Sequence, residues 1–540
     1  VMTLTARHKL LNRLAGAMLG LLLLSLVVGL LVPVYTDEVA WRFQISRFLQ
    51  DGIDRATGET CGLNTLAMPA YFMLPVRLFS ATATAFLSDP LAVRVAGIAC
   101  AILAVIAMLG LVRQREPASE RRAVIEILVL ALLGTGVLPF LLVWSRPDQA
   151  IWLAMLASLW IAFAPRAARE TGEPRARIAA ITLLALIAFS YHMKGVFYLP
   201  VFVLAVLASG RGALHYRLRG VALLVILACT WSAYRYWSDR FACPDDPVLA
   251  AKLEQQNVMM LLRNGGWRAL PGAVPTLLSN MWPTPYIRNT MPATGYMSYW
   301  LPATPVPLPL MALWRAMIWF CWYLTAAIAA ALVFLAARDR FPQRWMLAAA
   351  LVLAGCASAW AMLQYNKNAY ESSVYLPVLI LALVFLWAAP ARYRAWLGSP
   401  VLTIAALSAI SQVLVAGSYA APLWAAGRGG GYVAGQPYSL SAFAYPRARI
   451  LAAGAKCGIV LHPGLKRVLI DDLTYFAYAQ SSTPMHRLGV LSDWNGSAGD
   501  PMAWMRRHGS PGAVLACAYL PPSLRERAIA TGDVCCVSTR

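Results

Sequence analysis

Long apolar stretches dominate this chain, and its polar residues are confined to the joints between them. The first stretch, Leu14 to Pro33, is almost entirely apolar and long enough to cross a bilayer core at ~1.5 Å rise per residue. Repeating the reading predicts eleven spans, at 14–34, 91–112, 123–143, 150–164, 178–191, 196–208, 220–237, 310–336, 345–363, 372–389 and 400–417. If these alternate across the membrane, one set of joints collects the basic residues. It holds Arg7, Lys9 and Arg13, then Arg113, Arg115, Arg121 and Arg122, then Arg166, Arg169, Arg175 and Arg177. Arg211, Arg217, Arg219, Arg338, Arg340, Arg344, Arg392 and Arg394 complete it. By the positive-inside rule that side is cytoplasmic and so is the N-terminus. The opposite side receives the long segments: 35–90, 238–309 and the tail 418–540.

Composition sharpens this picture. The chain is 60% hydrophobic and 13% charged, against about 25% charged in soluble proteins, so a polytopic membrane protein is expected. The net charge of +22 sits in short joints, which points to anionic lipid headgroups and not to nucleic acid. Val1-Met2 reads as a start-site artefact, and no cleavable signal peptide is evident. The 238–309 segment is rich in Pro and Trp, as in Trp282-Pro283-Thr284-Pro285-Tyr286. Together with the apolar Val258 to Leu262, it suits an ordered cap at the membrane surface.

The tail reads as a small α/β domain. Val468-Leu469-Ile470 and Ala513 to Ala516 have the short apolar runs of buried strands. Leu473 to Gln480, Pro501 to Arg507 (with Asp500 as N-cap) and Pro522 to Ala530 are the helical candidates between and after them. Gly427 to Gly431 supplies a flexible joint. Of the ten cysteines, Cys100, Cys229, Cys321 and Cys356 lie inside spans. Cys61, Cys243, Cys457, Cys517, Cys535 and Cys536 lie outside, where an oxidising compartment permits disulfides. The expectation is Cys61 with Cys243, and two of the tail cysteines paired.

Chemistry concentrates in four clusters at the external span ends. They are Asp37-Glu38, Arg146-Pro147-Asp148, His192-Met193-Lys194-Gly195, and Asn366-Lys367-Asn368 with Tyr370 and Glu371. Ionisable groups at membrane depth are costly and so commonly functional or paired. Carboxylates accept a hydroxyl proton, and Arg and Lys neutralise phosphate. A site holding both suits group transfer from a phosphate leaving group to a hydroxyl. Thr36 or Asp37 also qualifies as N-cap of an amphipathic helix over Val39 to Leu49. Lys194 and Arg146 as snorkelling cations, and Asp148 as a mere partner of Arg146, are the plainer alternatives.

These motifs together resemble the lipid-dependent membrane glycosyltransferases of the GT-C class, in the branch of protein mannosyltransferases and lipid A aminoarabinose transferases. The resemblance rests on Asp37-Glu38 after the first span, the surface helix Val39 to Gln50, Pro69-Ala70-Tyr71, Arg146-Pro147-Asp148, and Lys194-Gly195 leading into Leu199-Pro200. It implies a helical membrane domain over 1–419, with about eleven transmembrane helices, and an external α/β domain over 420–540, in a bacterial inner membrane. It further implies a sugar transferred from a polyprenyl-phosphate donor to a hydroxyl of a glycan, glycolipid or protein, with inversion. Asp37 would be the general base, and Lys194 and Arg146 would hold the donor phosphate. Glu38 and Asp148 would shape the site, with His192, Tyr71 and Tyr370 near the substrate. The family's Lys-Pro-Pro run is replaced here by Leu66-Ala67-Met68-Pro69, so Arg288 is the candidate replacement for that phosphate contact. No cofactor is required, although Glu38 and His192 leave a divalent metal open. Two other functions stay open. A lipid-sugar flippase would need charge deep in the spans and inverted repeats. An oligosaccharide polymerase or ligase would use arginines such as Arg263, Arg268 and Arg288.

Overall fold

The computed structural model describes residues 4–35, 38–39, 42–43, 88–116, 119–164, 173–191, 193–209, 213–241, 307–338, 344–363, 372–388, 397–428, 439–440, 443–462, 465, 468–479, 485–487, 501–507, 509–517, 520 and 522–540. Every predicted span contains a helix within these residues. The helices are α1 (Leu4–Val28), α2 (Pro90–Arg115), α3 (Glu120–Leu133), α4 (Leu138–Leu142), α5 (Pro147–Phe163), α6 (Glu173–Tyr191), α7 (Leu199–Ala208), α8 (Ala213–Phe241), α9 (Leu308–Arg338), α10 (Arg344–Leu363), α11 (Ser372–Ala388) and α12 (Gly398–Arg428). Seven are long and apolar enough to cross a membrane, and three shorter apolar helices accompany them. The protein is a multi-pass helical membrane protein.

One expected span is broken. Residues 123–143 divide into α3 and α4 at Gly134-Thr135-Gly136, where Gly136 takes the left-handed φ of 62° that glycine adopts without a Cβ penalty. The break frees backbone groups, and α12 meets them. Ser411 Oγ accepts from the Gly136 N–H at 3.3 Å and from Trp314 Nε1 at 2.9 Å, and Ser408 Oγ donates to the Ala131 carbonyl at 2.6 Å. Gln412 packs its amide on Gly134 and accepts from Ser25 of α1 at 3.1 Å. Non-helical backbone at membrane depth is tolerated only where protein satisfies it in this way.

The arginine-rich joints meet at one end of the bundle. Arg7 pairs with Glu120 at 3.5 Å, Arg113 with Glu126 at 2.8 Å and Arg121 with Glu116 at 3.2 Å. Arg115 donates to Phe163 O at 2.7 Å, Arg177 to Ala164 O at 3.1 Å and Arg121 to Trp387 O at 2.5 Å. This convergence is what alternating spans require.

The tail forms a five-stranded sheet in the order β4-β3-β5-β7-β6. Its strands are β3 (Val468–Ile470), β4 (Met485–Arg487), β5 (Gly512–Ala516), β6 (Ile529–Thr531) and β7 (Val534–Ser538). β4, β3 and β5 run parallel, while β7 and β6 are antiparallel additions. Helices α13 (Arg447–Lys456), α14 (Tyr475–Tyr478), α15 (Pro501–Arg507) and α16 (Pro522–Arg525) surround it. The helix expected over Pro522 to Ala530 therefore stops at Arg525, because Ile529–Thr531 turns through Gly532 (φ 61°) into a hairpin with β7. All four tail cysteines are paired, Cys457 with Cys536 and Cys517 with Cys535, where one pair was expected. Cys535 and Cys536 point to opposite faces of β7, so each face carries one bridge. Cys61 and Cys243 lie outside the described residues, as do 242–306 of the predicted 238–309 cap and most of 35–90; residues 238–241 end α8 and 308–309 begin α9.

α12 continues through Gly427 to Arg428, the first two residues of the expected joint, and Gly429 to Gly431 lie outside the described residues. The tail is also anchored from the front of the chain. β1 (Val34–Tyr35), directly after α1, pairs antiparallel with β2 (Ser439–Leu440). Val34, Val39 and Val93 join Tyr475, Phe476 and Tyr478 in one apolar core, and Phe43 meets Tyr475 edge-on at 6.3 Å. The segment containing Asp37 is thus bordered by residues packed into the tail.

Candidate active site

The site begins where α1 ends. A 3-10 turn over Gly29–Leu31 and Pro33 lead into β1, and the described residues beyond it, Glu38-Val39 and Arg42-Phe43, are helical. Glu38 reaches back to accept the Tyr35 N–H at 2.9 Å, the return arm of a capping box. Its carboxylate also accepts the Ser145 N–H at 2.7 Å and Arg94 Nη2 at 2.8 Å. Glu38 and Arg94 are fully buried. Arg94 spends its remaining donors on backbone carbonyls: Val32 at 3.1 Å, Pro33 at 2.5 Å and Val143 at 2.8 Å. One ion pair thereby fastens the end of α1, the start of α2 and the turn after α4. Gly97 permits the approach, since a Cβ there would fall on the Val143 carbonyl. A carboxylate this enclosed and this fully hydrogen-bonded holds the backbone segments around it together.

Arg42 adds a second clamp, four residues after Glu38. Its Nη1 donates to Glu38 O at 2.9 Å and to Ser145 O at 3.0 Å, and its Nη2 donates to Ser145 Oγ at 2.8 Å. Burial lowers its guanidinium to about 10, with Glu38 pulling the other way. It stays charged at neutral pH. Beside this clamp Trp144 stacks on Tyr35 at 4.6 Å.

The next residues change character. Arg146 takes extended backbone (φ −114°, ψ 160°) as N-cap of α5, Pro147 opens the helix, and Asp148 stands in its first turn, where the helix dipole favours an anion. Gln149 fixes that turn by donating to Gly97 O at 2.8 Å and Leu142 O at 2.7 Å. Lys194 arrives on the 3-10 turn Met193–Tyr198 after α6. Asp148 lies between two cations, with Oδ2 at 3.2 Å from Arg146 Nε and Oδ1 at 3.1 Å from Lys194 Nζ. The Lys194 ammonium also sits 5.0 Å from the Trp360 ring, which Phe197 braces edge-on at 4.5 Å. Their side chains keep 9%, 9% and 14% exposure for Arg146, Asp148 and Lys194, unlike the sealed Glu38. The three form a partly accessible group of net charge +1 (two cations less one anion), suited to an anionic oxygen ligand.

Of the residues singled out from the sequence, Glu38, Arg146, Asp148 and Lys194 are brought to one end of the bundle. Asp148 touches both Arg146 and Lys194, and Ser145 links Glu38 to Arg146 along the backbone. Asp37, His192, Tyr71, Tyr370 and Arg288 lie outside the described residues. Among the described residues no three His, Cys, Asp or Glu side chains converge as metal ligands. Sequence reading missed Arg42, Arg94, Ser145 and Trp360. Two signals were present. Arg94 is an arginine inside an apolar span, and Arg42 stands at i+4 from Glu38 on a helix.

No family model matches the chain, and no curated protein does. Among solved structures, the chain is similar to the crystal structure of ArnT from Cupriavidus metallidurans bound to undecaprenyl phosphate. That likeness covers 98% of this chain and 97% of that one, at 13% identity and a TM-score of 0.47. It is similar also to the apo state of ArnT from the same organism, over 97% of each chain, at 14% identity and a TM-score of 0.38.

Proposed function

We propose that the protein transfers a sugar from a polyprenyl-phosphate donor to a hydroxyl acceptor, at the extracytoplasmic face of a bacterial inner membrane. The observation that carries this reading is the Arg146–Asp148–Lys194 group, set beside the sealed Glu38–Arg94 pair and one backbone link from it. The group offers a bidentate fork and a point charge to a phosphate. Asp148 lies between the two cations, where a ligand phosphate would take its place. The two disulfides of the tail favour an oxidising compartment for it, and the arginines gathered at the other end of the bundle favour a cytoplasmic position there.

In the reaction, Asp37 accepts the proton of the acceptor hydroxyl. The acceptor oxygen bonds to the anomeric carbon as the bond from that carbon to the phosphate oxygen breaks. The electron pair leaves with polyprenyl phosphate, whose developing charge Arg146 and Lys194 stabilise. The anomeric centre inverts in this single displacement. Glu38 acts by position, holding the segment that contains Asp37 against the turn that contains Arg146. Arg288, Tyr71, His192 and Tyr370 remain candidates for donor and acceptor contacts.

The experiment is release of polyprenyl phosphate from labelled polyprenyl-phosphate sugars in membranes, comparing wild type with Asp37→Asn at equal protein level. Release by wild type alone is expected. Equal release by both removes Asp37 from the chemistry. Transbilayer movement of the sugar lipid without release supports a flippase instead.

A further inference from the structure

We infer that Arg42 is a positioning residue that sets the register between the two halves of the site, the segment containing Asp37 and the turn containing Arg146 and Asp148. The inference rests on the proposed transferase reading for its kinetics but not for its geometry.

Two stretches of chain are hydrogen-bonded by this one guanidinium. Its hydrogen bonds run to Glu38 O, one residue after Asp37, and to Ser145 O and Oγ, one residue before Arg146. Its electrostatic neighbours include Tyr191, three residues before Lys194, and Tyr475 of the tail. Phe43, the next residue along, closes the other side against the Tyr475 ring at 6.3 Å. Glu38 and Arg94 already join α1, α2 and the 143–145 turn. What Arg42 adds is a rigid, planar link with one nitrogen shared by two carbonyls and the other on a hydroxyl. Only a fork can hold two backbone segments at fixed separation and angle. A lysine in its place keeps the charge and loses the fork. Small misplacements between reacting groups cost rate steeply, about a hundredfold for an ångström, so a residue of this kind acts on turnover more than on donor affinity.

The test uses Arg42→Lys and Ser145→Ala in the full-length protein in detergent or nanodiscs. The second removes only the hydroxyl acceptor and folds if the first does not. Two measurements are made. Amide hydrogen exchange over 34–43 and 143–149 is expected to rise at least about tenfold in either variant, with exchange in the tail sheet little changed. Polyprenyl-phosphate release is expected to lose about ten- to hundredfold in kcat, with the donor KM within about threefold. Unchanged exchange in both variants overturns the lock, whatever the activity. Raised exchange with kcat intact, or a loss that falls on KM alone, overturns the positioning role. If wild type releases nothing from any polyprenyl-phosphate donor, the transferase reading fails, and exchange alone decides whether Arg42 holds the two segments together.

Discussion

Glu38 and Asp148 are both carboxylates beside arginine at the same end of the bundle, yet they are built for different work. Glu38 is sealed, accepts two backbone N–H groups and the Arg94 guanidinium, and joins pieces of backbone. Asp148 retains some exposure and contacts cations on two different turns. A buried ion pair costs desolvation and is held by its added hydrogen bonds. A half-open pair can exchange its partner for a ligand. Enclosure therefore separates the residue that holds the site from the group proposed to meet the donor phosphate.

The largest expected effect follows from breaking the sealed pair. Arg94→Met leaves Glu38 buried without its cation and strips donors from the Val32, Pro33 and Val143 carbonyls. A loss of about 3–5 kcal/mol is expected, seen as a collapse of the melting transition and of monodisperse purification. Glu38→Gln is expected to cost somewhat less, about 2–4 kcal/mol. It keeps one acceptor but turns an amide N–H either toward both the Tyr35 N–H and Arg94 or toward the Ser145 N–H, and thermal unfolding reads it directly. At the open group the effect moves from stability to binding. Lys194→Met should leave the melting temperature within a few degrees, since Asp148 keeps Arg146, while polyprenyl-phosphate affinity falls about tenfold or more. Trp360→Leu is the mildest. It removes the ring beside the Lys194 ammonium, and a cation–π contact is worth about 1 kcal/mol, so affinity should fall about fivefold in a lipid-binding titration.

The same contrast explains what the sequence revealed. The eleven apolar stretches were legible because membrane helices declare themselves by length and apolarity alone. Alternation then placed the Arg146, Asp148 and Lys194 joints on one side, and the structure brings these three into contact. The α3–α4 break was illegible, because small residues such as Gly134 and Gly136 are common in unbroken membrane helices. The groups that satisfy the break, Ser408, Ser411 and Gln412, lie far along the chain. Arg42 and Arg94 were missed for a related reason. Their partners are mostly main-chain carbonyls, which no side-chain motif records. In the tail, β6 was read as helix because Pro522 opens a real helix. The Gly532 turn and the pairing with β7 override local propensity from Ile529 onward.

The most direct test of this account measures polyprenyl-phosphate affinity and melting temperature together, in wild type, Lys194→Met and Glu38→Gln. The account predicts that Lys194→Met loses affinity at near-native stability. Glu38→Gln should lose stability, while its folded fraction retains affinity within about threefold. Unchanged affinity in Lys194→Met, or a selective loss of affinity in a fully stable Glu38→Gln, would contradict it.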